Sequence, residues 1–201
     1  MIEWREQKTE LPFWPLASLT QRLSARDAAI IDAQCADGRV IVVDGQGRAE
    51  VERHLTASSD EQGGLLVGEV FTRSDGAIAA VFVRAGVAAL AFASSGVSLR
   101  MEAGVWTRAQ EVLRAQELIV GWYHSHPGLG AFFSSTDRRT QRAFFPHPFS
   151  VGWVRDPAHG DECWFVGAES EAVPAQRVLD LGVTAAGVVP SVPGGSAGGR
   201  P

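Results

Sequence analysis

The segment WYHSHPGLGAFFSSTD, residues 122–137, decides how this chain is read. It closes an apolar run, LIVGWYH over 118–124, that has the length of a buried strand. His124 and His126 stand two apart at the end of that strand. Alternate strand residues face the same way, so both imidazoles converge on one point. Pro127 and Gly128 stop the strand, the chain turns back, and Asp137 arrives in the first turn of a helix expected over 134–145. Two imidazoles and one carboxylate suit Zn²⁺, and three protein ligands leave a fourth position for water, as catalytic zinc requires. Such a zinc lowers the pKa of its water to roughly 7. One zinc ion per chain is the expectation.

A water activated in this way also needs a proton acceptor. Glu61 stands just before GGLLVG (63–68), a glycine-rich apolar strand. A partly desolvated carboxylate there shuttles a proton from water to a leaving amine. Ser134 is placed to donate a hydrogen bond to a tetrahedral oxyanion. Each residue also has a plainer reading. A single His at a strand end is more often structural than a ligand, and the pair followed by Pro-Gly only shifts that balance. Ser134 with Asp137 forms S-x-x-D, a capping box at a helix start, and local pattern alone favours the cap. The two roles are compatible if Ser134 faces the metal. Asp60 and Glu69 compete with Glu61 for the base.

Working outward, RVIVVD (39–44) reads as a strand from its β-branched content. Glycines 45 and 47 predict a turn, followed by a helix over 49–59 with Val51, His54 and Leu55 on one face. Residues 63–71 and 77–87 predict a hairpin across Ser74-Asp75-Gly76. Residues 101–116 look helical, 88–100 have no clear assignment, and 149–155 and 163–168 are strands joined by DPAHGDE. Residues 18–33 suggest a short helix within an N-terminal extension covering 1–38. The expected catalytic domain is 39–183. The stretch 184–201, rich in Gly, Pro and Ser, is expected to be a disordered tail. Strands and helices mixed with hairpins predict an α+β fold.

Composition sets the outer bounds. A chain of 201 residues with 45% apolar content builds one ordinary core. Its net charge of -5, without a Lys/Arg cluster, argues against a nucleic-acid partner. Lys8 is the only lysine among many arginines, a bias typical of GC-rich bacterial genomes. Cys35 and Cys163 form no CxxC pair. No signal-peptide layout or membrane span is apparent, so the reducing cytoplasm is the expected compartment.

The string His124-Ser125-His126-Pro127-Gly128, with Ser134 and Asp137, is H-x-H-P-G-x5-S-x2-D. With Glu61 in E-x-x-G-L-x-x-G, it resembles the JAMM (MPN-plus) metalloproteases over about residues 39–170. Gly121-Trp122-Tyr123, Thr140-Gln141 and Asp156-Pro157 look especially like the eukaryotic deubiquitinase branch. The resemblance implies a JAB/MPN domain, with a cytidine-deaminase-like mixed sheet flanked by helices. It puts the zinc ligands on His124, His126 and Asp137, the acid/base on Glu61 and the oxyanion donor on Ser134. It implies cleavage after the C-terminus of ubiquitin or a ubiquitin-like protein, in a bacterial conjugation pathway with activating and conjugating enzymes as further partners. The family's insertion that grips the substrate tail falls near residues 88–106, with Val97, Ser98 and Leu99 as groove residues able to pair with an extended peptide. A second family insertion, after Pro157, is almost absent, which removes any expectation of chain-linkage specificity. Two other readings stand beside this one: a hydrolase acting on sulfur-carrier-protein conjugates, and a metal-free scaffold, against which the intact set of five residues argues.

Overall fold

The apolar and β-branched runs become the central strands of one mixed sheet. A computed structural model describes residues 11–90, 92–95 and 98–182. The chain opens with β1 (Phe13–Pro15), α1 (Leu16–Thr20), α2 (Ala25–Ala36), β2 (Val40–Asp44) and α3 (Gly45–Leu55). The hairpin β3 (Gly63–Thr72) and β4 (Ile78–Ala88) follows, then a small hairpin, β5 (Phe92–Ser95) with β6 (Ser98–Met101). Next come α4 (Gly104–Val112), β7 (Leu118–Ser125) and α5 (Ser135–Phe144). The described chain closes with β8 (Val151–Arg155), β9 (Glu162–Val166), β10 (Glu171–Val173) and β11 (Val178–Leu181). The main sheet runs β10-β9-β8-β7-β3-β4-β2-β11, with β1 parallel to the far end of β3. β7 pairs parallel with β8, and β2 pairs parallel with both β4 and β11. The architecture is the α+β arrangement expected.

The sheet is strongly curled. β10 and β11 are its opposite edges, yet only residues 174–177 separate them in the chain. α3 lies inside the curl, where Val51 and Leu55 join Ile41, Val81, Tyr123 and Trp153 in a buried cluster. Arg48 of α3 links β9, next to one edge, with β11 at the other, donating to Glu162 at 2.7 and 3.0 Å and to Asp180 at 2.6 Å. On the outer face, α4 and the aromatic residues around α5 bury Leu65, Val67, Trp122, Phe133 and Phe165 together. A third cluster joins Leu19, Ile31 and Cys35 to Val40, Val42 and Phe71. Residues 13–36 thus pack directly on the sheet. Residues 184–201 lie outside the described ones.

Several local expectations change. The helix expected over 18–33 is two helices, because Ser24 leaves helical geometry and its hydroxyl accepts the Asp27 N–H to cap α2. The turn expected at 45–47 is the first turn of α3. Asp44 caps that helix by accepting the Gly47 N–H at 2.9 Å. Gly47 is there for close approach, since a Cβ would sit 2.1 Å from the Arg84 carbonyl oxygen of β4. The hairpin turn after β3 falls as expected, with Gly76 at φ +81°. The unassigned 88–100 region supplies β5 and the start of β6. Among the described residues no helix is long and apolar enough to cross a membrane.

Gly47→Ala forces α3 off β4. The expected cost is about 1–3 kcal/mol, typical of overpacking, read as a lower urea midpoint with an unchanged slope. An unchanged midpoint would mean the contact between α3 and β4 is slack.

Candidate metal centre

β7 carries the two histidines, and it is held on both sides. Gly63 of β3 pairs with His124, and His124 pairs with Val154 of β8. Beyond the strand, the Ser125 N–H donates to the Gln62 carbonyl and the Gln62 N–H donates to Ser125 Oγ, each at 2.9 Å. The His126 N–H donates to the Arg155 carbonyl at 2.9 Å. Continued by one step, this antiparallel register puts Glu61 opposite His126. The strand period turns Trp122, His124 and His126 to the face that α5 covers.

α5 brings the third group. Ser134 accepts the Asp137 N–H at 3.2 Å, and Asp137 Oδ2 accepts the Ser134 N–H at 2.6 Å, a complete capping box. The cap that local sequence pattern favoured for Ser134 is therefore present. The same cap fixes the rotamer that turns Asp137 toward β7. The Nε2 atoms of His124 and His126 are 3.1 Å apart. Asp137 Oδ1 lies 3.4 Å from His124 Nε2, and Oδ2 lies 3.6 Å from His126 Nε2. Ligand atoms about 2.0–2.1 Å from a tetrahedral zinc stand about 3.3 Å from one another. The three side chains thus present one face of a zinc-sized tetrahedron, and all three are buried. Residue type and spacing both fit the ion.

The electrostatics suit metal binding. Burial alone would raise the Asp137 carboxyl, but hydrogen bonds from His124 and Ser134 outweigh it and hold the group at about 2. Burial, with His124 alongside, lowers His126 below its ordinary value, so its ring is neutral at pH 7, the form that ligates. Burial raises the Glu61 carboxyl, while His126 draws it down and Asp137 adds to the rise. These couplings place Glu61 within electrostatic reach of the cluster. His124 is stacked on Trp122, with ring centroids 4.6 Å apart and planes at 4°. Phe132 meets His126 edge-on at 5.0 Å and is 48% exposed, and Leu129 beside it is 65% exposed. The site therefore opens through an apolar lip. Of the expected groove residues, Ser98 and Leu99 lie on β6, which packs against α5, and Val97 lies outside the described residues.

Local pattern did not reveal the role of Asp156. This fully buried carboxylate accepts N–H groups from Gly128 at 2.9 Å, Gly130 at 2.8 Å and Ala158 at 2.9 Å, and pairs with His159 Nδ1 at 2.7 Å. Gly128 and Gly130 adopt φ of +74° and +87°, which lets both amides turn onto one carboxylate. The clamp holds the loop between His126 and the lip. The only hint in the sequence was Asp-Pro at a strand end.

The clamp has a pH signature. His159, and then the loop amides, hold Asp156 well below the usual carboxylate range. Asp156 in turn raises His159. The Asp156 contribution is present above its unfolded value of about 4 and is lost as pH falls through its depressed folded value. The His159 contribution is present below its unfolded value of about 6.5 and is lost as pH rises through its raised folded value. The stability gap between wild type and His159→Ala, measured by urea midpoint, should be largest near pH 5 and shrink by about pH 9. An equal gap at both pH values would mean the ion pair contributes nothing.

Residues 47–166 match the family described as prokaryotic homologs of the JAB domain. Over 87 residues the chain is 34% identical to the 26S proteasome non-ATPase regulatory subunit 14 of Dictyostelium discoideum, a match covering 40% of this chain and 26% of that one. Over 28 residues it is 57% identical to the ubiquitin carboxyl-terminal hydrolase RPN11 of Saccharomyces cerevisiae, covering 14% and 9%. The matches span 13–26% of the length of the first three curated relatives. The fold is similar to the solution structure of protein DSY2949 from Desulfitobacterium hafniense, with a TM-score of 0.52 and 22% identity, covering 70% of this chain and 92% of that one. With a buried His-His-Asp face on a curled mixed sheet, and more than half of its length matched, the chain belongs to the family of prokaryotic homologs of the JAB domain.

Proposed function

We propose that the chain is a zinc-dependent peptidase of the isopeptidase kind, cutting after the C-terminus of a ubiquitin-like protein. The observation that carries this reading is the convergence of His124, His126 and Asp137 at zinc-ligand spacing, with Glu61 opposite His126 at the mouth. Zinc held there supplies a Lewis acid that lowers the pKa of a water and polarises a carbonyl. Glu61 takes the proton from the attacking water and returns it to the leaving amine. Its half-buried position keeps it basic enough for that exchange. The Ser134 hydroxyl sits at the helix start beside Asp137, where rotation about its C–O bond turns the proton toward the developing oxyanion.

The substrate class rests on two supports. One is the likeness to a relative named as a ubiquitin carboxyl-terminal hydrolase. The other is the β5–β6 hairpin next to α5. Among the described residues β6 pairs only with β5, which leaves an edge able to take an extended tail by backbone pairing. Phe132 and Leu129 then provide apolar contact across the mouth.

Three variants test the roles. Glu61→Gln keeps stoichiometric zinc and loses about 10²–10⁴-fold in turnover of a ubiquitin-like fusion. His126→Ala loses both zinc and turnover. Ser134→Ala loses about 10²–10³-fold in kcat and about 1 kcal/mol of stability through the cap. Near-normal turnover by Glu61→Gln would remove the base assignment. A fully zinc-loaded wild type that cleaves no ubiquitin-like fusion would count against the substrate class.

A further inference from the structure

We propose that Gln141, held by Trp122, is a positioning residue that sets Asp137 in the metal-ligating arrangement. The proposal rests on the metal reading above. Trp122 and His124 lie two apart on one face of β7, roughly 6.6–6.8 Å along the strand. Asp137 and Gln141 lie four apart on one face of α5, roughly 6 Å along the helix. The two spacings match closely enough for a pair of parallel rungs. One rung is the Trp122 indole N–H donating to Gln141 Oε1 at 2.7 Å. The other is His124 facing Asp137 at 3.4 Å. One rung alone would leave α5 able to turn or slide against β7. Two rungs fix its axial position and its rotation together.

The Gln141 amide is anchored at its other end as well. Its Nε2 donates to the carbonyls of Phe145 at 3.3 Å, Ser150 at 3.2 Å and Gly167 at 3.3 Å. An indole only donates and a carbonyl only accepts, so the amide has one orientation that satisfies its surroundings. The side chain is fully buried and ties the end of α5 to the segments flanking β8 and β9. Gly152 of β8 leaves room for this arrangement, since a Cβ there would lie 3.1 Å from Gln141 Oε1 and 2.3 Å from the Phe133 ring. A Glu at position 141 keeps the shape and still accepts from Trp122, but it faces three carbonyls without a donor.

Zinc affinity, measured by competition with a chromogenic chelator, tests this without reference to turnover. The visible absorption of the Co²⁺-substituted protein gives a second readout of ligand geometry. Trp122→Phe keeps an aromatic ring beside His124 while removing the indole donor and part of the ring's volume, and Gln141→Glu removes the amide donor without changing the volume. Both should weaken zinc binding about 10–100-fold, the usual effect of losing a group that orients a ligand, and both should alter the Co²⁺ bands. Ile31→Val, which lowers stability through a cluster α5 does not enter, should leave affinity and spectrum unchanged. If Gln141→Glu does not fold, Trp122→Phe decides the matter alone. The proposal is overturned if Trp122→Phe binds zinc as tightly as wild type, or no more weakly than Ile31→Val, while His126→Ala loses the ion. If wild type itself binds no zinc, the metal reading falls and this proposal falls with it.

Discussion

The site depends on β7 being clamped between β3 and β8. A strand hydrogen-bonded on both sides cannot shift its register by one residue without turning its side chains to the opposite face. His124 and His126 sit at the very end of that strand, where fraying would otherwise be greatest. Fraying is opposed by two backbone hydrogen bonds, Ser125 N–H to Gln62 and His126 N–H to Arg155, and by the Gln62 N–H donating to the Ser125 hydroxyl. The face that carries His124 and His126 is therefore built into the sheet itself, and the neighbouring elements act on a fixed reference. The same clamp brings Glu61 opposite His126, so one register sets the positions of the proposed ligand and the proposed base.

From that reference, helix α5 and the loop before it complete the centre in different ways. Asp137 is turned by its own capping box, a local device within one helical turn. The loop after His126 is held from a distance, by the Asp156 carboxylate at the end of β8. The second device hangs on β8, the neighbour of β7, whereas the first is internal to α5. On the far side of the sheet, α3 fills the curl, and Arg48 ties β9 to β11 beneath Trp153. That curl gives the sheet a continuous core behind the metal face.

The residues of the centre were legible because short-range rules place them. A period of two aligns the histidines, a Pro-Gly stop ends the strand, and S-x-x-D opens a helix with an acidic residue in its first turn. The supporting residues were not legible, since their roles come from partners far along the chain. Asp156 reads as a turn residue until Gly128 and Gly130 arrive at it, and Gln141 reads as a helix polar residue until Trp122 does. The same cause explains the fold-level differences. Gly47 suggests a turn when seen alone, but the Arg84 carbonyl against it makes it a helix contact. The helix expected over 18–33 is broken by the Ser24 cap, which competes with helical propensity that is only modest there.

The coordination shell of the bound ion is the most direct test of the proposed metal centre. X-ray absorption spectroscopy on the zinc-loaded protein reads ligand type and distance without crystals or turnover. The expected result is one zinc per chain in a four-coordinate shell of nitrogen and oxygen at about 2.0–2.2 Å, with an imidazole signature from two histidines. A sulfur neighbour at about 2.3 Å, or zinc far below one per chain, would contradict it.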